Sequence, residues 1–116
     1  MADPTPHDLL DRLVTVCSRS PVVAAYTVRT LDLDVLSLRV HLLDDSFLEV
    51  FYNVTTGKTA FAVIVAGRRV YGKDNAKMGW HAHPPDNPDA HGPCEPVSFE
   101  QFLAEVERVR FPSMQQ

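Results

Sequence analysis

From Leu36 to Leu42 the chain alternates without a break, Leu-Ser-Leu-Arg-Val-His-Leu, and this run most narrows what the whole chain can fold into. Alternation at period two belongs to a strand with one buried face. Strand character continues beyond it. Residues 47–54 are rich in β-branched and aromatic side chains, 59–66 are nearly all apolar, and 69–73 form a further short run. The nearly all-apolar run has the pattern of a sheet centre covered on both faces. Only turn-sized pieces separate these runs: Asp44-Asp45-Ser46, Thr55-Thr56-Gly57-Lys58 and Gly67-Arg68. Parallel neighbours need crossovers of about a dozen residues or more, so the strands must be antiparallel and form a meander. An earlier strand is expected within residues 22–33. Leu31, Leu33 and Val35 alternate in one phase and Leu36, Leu38 and Val40 in the other, a slip that suits a bulge or a short turn.

Helical spacing brackets this region. Thr5 can cap a first helix, Pro6 suits its first position and Asp8 places a negative charge in its first turn. Leu9, Leu10, Leu13, Val16 and Cys17 then make one buried stripe, and Pro21 ends it. Cys17 reads as core rather than as a reactive thiol. Near the other end, Ser98 and Gln101 form a capping box, with Val97 and Phe102 as the staple. Phe99, Phe102, Leu103 and Val106 give this helix its stripe, and Pro112 stops it. The expected fold is one α+β domain over residues 1–116: an antiparallel meander of four to five strands flanked by an N-terminal and a C-terminal helix.

Candidate chemistry concentrates in residues 80–94. His81, His83 and His91, three of the five histidines in the 116-residue chain, fall there within eleven residues. Five of the nine prolines (84, 85, 88, 93 and 96) lie in the same region. Proline lowers the entropy an irregular segment loses on folding, so such a loop can hold a defined shape. If His81-Ala82-His83 is extended, both imidazoles point to one side. Two uses follow. Two imidazoles could straddle a phosphodiester as general acid and base, with Asp74 orienting one of them and Lys73 meeting the phosphate. Alternatively His81, His83 and His91 would bind a divalent transition metal such as zinc, with Asp74 or Cys94 as a further ligand. A third reading leaves the histidines in a stiffened, solvent-facing loop where they only hydrogen-bond neighbours.

Around this loop, Arg68, Arg69, Lys73 and Lys77 place four of the eleven cations in ten residues, a candidate nucleic-acid contact or a guarded hairpin edge. Trp80, the only tryptophan, either anchors the loop to the core or offers a nucleobase a stacking surface. Asp74-Asn75 is also ordinary turn chemistry. His41 sits on the polar face of its strand, and His7 falls in the first helical turn. A net charge of −4 argues against non-specific nucleic-acid binding by the whole surface. Two cysteines make no disulfide framework, no apolar stretch reaches bilayer length, and Met1-Ala2-Asp3-Pro4 lacks the marks of a signal peptide. A cytoplasmic protein without membrane contact is therefore expected. The chain has no Gly-rich phosphate loop, nucleophile elbow, His-Glu-x-x-His or Cys-x-x-Cys.

In order, the chain presents a helix, a meander carrying DDSFLEVFYN, a strand ending RVYGKDN, then GWHAHP with a later histidine, and VSFEQFLAEVERV. Over residues 36–109 this resembles the TumE-type toxin proteins of prokaryotic toxin–antitoxin pairs. Lys73, Asp74 and Asn75, followed by His81 and His83, carry the sharpest part of the resemblance. It implies a toxin that attacks RNA, hence a ribonuclease, paired with a helix-turn-helix antitoxin. Its acid and base would be His81 and His83 (or His91). The alternative is a non-catalytic module that binds a metal or a partner through the same loop. Homodimerisation through a sheet edge stays open.

Overall fold

A computed structural model describes residues 4–76, 79–83 and 92–114. Helix α1 spans Pro6–Arg19 and begins with a full capping box. Thr5 Oγ1 accepts from the Asp8 amide at 3.1 Å, and the Asp8 carboxylate accepts from the Thr5 amide at 2.9 Å. Five antiparallel strands follow: β1 (Val23–Leu31), β2 (Val35–Leu42), β3 (Phe47–Asn53), β4 (Thr59–Val65) and β5 (Arg68–Asp74). Two short strands extend the sheet, β6 (His81–His83) and β7 (Gly92–Pro93), and α2 (Phe99–Arg110) closes the chain with a 3-10 turn at Pro112–Met114. Spatial order equals chain order, β1 to β7, so the sheet is one uninterrupted meander.

The α+β architecture is as expected, but the described residues form a seven-stranded sheet rather than one of four or five strands. The additional pair comes from the histidine region, where elements of three and two residues are too short to show a period. The phase slip near Val35 is a turn. Asp32 Oδ1 accepts from the amides of Asp34 (2.9 Å) and Val35 (2.8 Å) and restarts the alternation. The β4–β5 hairpin turns at Ala66-Gly67, both at positive φ (52° and 78°), one residue earlier than the composition suggests. Such a pair matches the right-handed twist of the flanking strands.

One face of the sheet carries both helices. Leu36, Leu38, Val40 and Leu42 of β2, Leu48 and Val50 of β3, and Phe61 and Val63 of β4 form one buried cluster with residues of both helices. Phe61 is its hub: Tyr52, Trp80, Phe99 and Phe102 place their rings 5.4–6.3 Å from its own. Cys17 is buried in this cluster, and burial pushes its thiol up to about 11, in keeping with a core role. β4 is central, but among the described residues no helix covers its second face. Its outward residues Ala60, Ala62 and Ile64 are only half-buried, and two of the three are small alanines. No helix among the described residues is long and apolar enough to cross a membrane.

Candidate metal centre

In the β5–β6 pairing Asp74 stands opposite His81, Lys73 opposite Ala82, and Gly72 opposite His83. Directly opposed residues share a face, and successive residues alternate. Asp74 also pairs with Ala60, and Gly72 with Ala62, while Lys73 pairs with the core residue Phe61. Asp74, His81 and His83 therefore lie together on the helix-free face.

Both imidazoles turn to the same carboxylate. His81 Nε2 is 3.1 Å from Asp74 Oδ1, and His83 Nε2 is 3.3 Å from Oδ2. The rings sit 5.2 Å apart, nearly perpendicular. Side-chain exposures of 21%, 9% and 17% for His81, His83 and Asp74 make the group largely desolvated yet reachable. All three residues can offer ligand atoms within 4.8 Å of one another. Asp74 Oδ1 also accepts from the Ala76 amide at 3.0 Å, which fixes the carboxylate's plane.

His81 is held from behind. Its Nδ1 lies 3.1 Å from the Gly79 carbonyl, which can only accept, so Nδ1 carries the hydrogen. In a neutral ring the lone pair is then on Nε2, aimed at a carboxylate oxygen. A divalent metal ion held between Nε2 and that oxygen would satisfy both.

Gly72 makes room for this arrangement. A Cβ there would lie 2.9 Å from the Phe61 carbonyl oxygen, a backbone atom with little freedom to give way. Glycine inside a strand often marks such a close approach, and this signal was present in the run Arg-Val-Tyr-Gly-Lys-Asp. The Gly79 carbonyl had no sequence signal, because backbone groups leave no trace in residue types.

Other residues take different roles. Lys73 faces the helices, where its Nζ meets Glu105 Oε2 at 3.0 Å, so strand alternation removes it from the phosphate-binding role beside Asp74. Burial holds the Glu105 carboxyl above its ordinary range despite that partner. Arg68 and Arg69 lie exposed at the far end of β5, roughly 17–20 Å along the strand from Asp74 at about 3.3 Å per residue. Trp80 packs on Phe61 at 6.3 Å and lines a cleft with Leu9, Leu13, Tyr52 and Phe99, which makes it an anchor to the core. Asn75 clasps a turn: its side-chain oxygen accepts from the Thr59 amide at 2.7 Å, and its Nδ2 donates to the Gly57 carbonyl at 2.8 Å. Cys94 is half-buried and outside the ligand group, and burial raises its thiol. His41 Nε2 pairs with Thr27 Oγ1 at 3.0 Å. His91 and Lys77 lie outside the described residues. No protein-family model, curated protein or solved structure matches this chain, so its function has to be argued from the site itself.

Proposed function

We propose that this protein binds one divalent transition metal, zinc by preference, through Asp74, His81 and His83. The observation that carries the reading is the convergence of Asp74, His81 and His83, whose ligand atoms all lie within 4.8 Å of one another. His83 brings a second imidazole to the same point. Two imidazoles with one carboxylate are a fitting donor set and leave coordination open to water or substrate.

The metal-free acid–base reading is less well supported. Both Nε2 atoms face Asp74 rather than a space between the rings, and Lys73 turns to the other face. A phosphodiester would meet a carboxylate without a compensating cation from Lys73. A divalent ion held by Asp74, His81 and His83 would reverse that local charge and supply Lewis-acid chemistry there. Ribonuclease activity of the TumE type, with a helix-turn-helix antitoxin as partner, is accordingly proposed in a metal-dependent form, resting on the sequence resemblance.

The test is metal analysis and zinc calorimetry on protein purified without a histidine tag. Close to one ion per chain is expected, with binding in Asp74→Asn or in His81→Ala/His83→Ala weakened by at least the roughly 10–100-fold typical of losing an outer-shell partner. Substoichiometric metal that ignores both variants would sink the proposal. RNA cleavage by the zinc-loaded protein, lost in the double variant, would support the catalytic extension. Equal cleavage by both would end it.

A further inference from the structure

We infer that strand β1 pairs with β1 of a second copy, giving a two-fold homodimer with one sheet continuous across both chains. β1 is the first strand of the sheet and among the described residues is hydrogen-bonded only to β2, which leaves its outer edge open to a second copy. Residues 24–30 are all exposed. An open edge is normally guarded by lysine, proline, inward-pointing charge or bulges that twist it away. Val23–Leu31 contains neither lysine, proline nor an acidic residue, its only charge is Arg29, and its two bulges leave Ala25–Val28 regular between them.

The face beside this edge is unusually apolar. Tyr26 pairs with Val40 and Val28 with Leu38, both partners being core residues, so Tyr26 and Val28 lie on the helix-bearing face. They remain 44% and 38% exposed. The core row of β2 thus continues onto β1 and stops at the edge.

Self-pairing is favoured by the register available. Bulges between Val23 and Ala25 and between Val28 and Thr30 confine regular ladder to Ala25–Val28. Antiparallel pairing about a two-fold axis matches residues of one face only when the axis passes through a residue. With the axis at Thr27, each Tyr26 meets the second copy's Val28, an aromatic–β-branched pair, and the two Thr27 residues meet each other. Arg29 lies outside that regular ladder, so no like charges are opposed within it. The other sheet edge is the two-residue strand β7, which ends in Pro93. A single usable edge per chain closes the assembly at two copies and prevents a filament.

This inference does not depend on the proposed metal site, whose residues lie on β5 and β6 toward the opposite edge. Its test is sedimentation velocity of the full chain up to about 100 µM, a range that captures weak specific association. The wild type is expected to sediment at twice the chain mass. Thr27→Lys, which opposes two like charges across the axis, should weaken association at least about tenfold. Thr27→Cys in a Cys94→Ser background should cross-link into dimers on oxidation, while Leu33→Cys in that background should not. Should Thr27→Lys fail to fold by circular dichroism, the cross-linking pair decides. A wild type monomeric throughout the range overturns the inference. So does a dimer that Thr27→Lys leaves intact, or one that Thr27→Cys does not trap.

Discussion

At the scale of single residues, the site depends as much on an absent side chain as on those present. Asp74 and the two histidines supply donors, but Gly72 lets β4 and β5 approach closely beneath them. Alanine at 72 would press on the Phe61 carbonyl, and a well-packed backbone accommodates an added methyl at a cost of about 1–3 kcal/mol. Gly72→Ala should therefore lower the urea midpoint by the equivalent amount and weaken zinc binding in the same sample. An unchanged midpoint would show that the strands can separate without penalty. Asp74 and His81 were legible as a candidate pair from their types alone. Their actual contact was not, because a separation of seven residues says nothing about which edge the chain returns to.

Among elements, the two helices are set by local sequence and then tied down by long-range contacts. The end of α2 is pinned to the β2–β3 turn, where Arg110 reaches Asp44 at 2.8 Å. Burial raises the Asp44 carboxyl, but hydrogen bonds from Ser46 and Arg110 outweigh it and leave the group below its ordinary value. A carboxylate whose folded value is depressed adds stability above its unfolded value, near 3.8, and loses it as pH falls through the folded one. Both side chains are about a third exposed, so solvent screening limits the effect to about 0.5–1 kcal/mol. Denaturation of Asp44→Asn should show that deficit at pH 7 and little difference from wild type at pH 3. A deficit equal at both values would assign the loss to packing.

For the whole molecule, a metal that binds only the folded chain stabilises all of it. At free zinc about a hundred times its dissociation constant the gain is about 2.7 kcal/mol, or of the order of 10 °C in Tm for a domain of this size. Wild type should show that rise and Asp74→Asn, with at least tenfold weaker binding, about half of it or less. Equal shifts in both would place any bound zinc elsewhere. By itself the sequence determined the meander, both capped helices and the buried stripes, because period, turn chemistry and caps act over a few residues. It also held the opposition of Lys73 and Asp74, since neighbours on a strand always alternate. Which face the helices cover was decided only in three dimensions. So was the return of residues 81–83 beside β5, which brings both imidazoles to one carboxylate. Those outcomes rest on pairing between distant segments, whose register is set by the packed sheet and not by any local pattern.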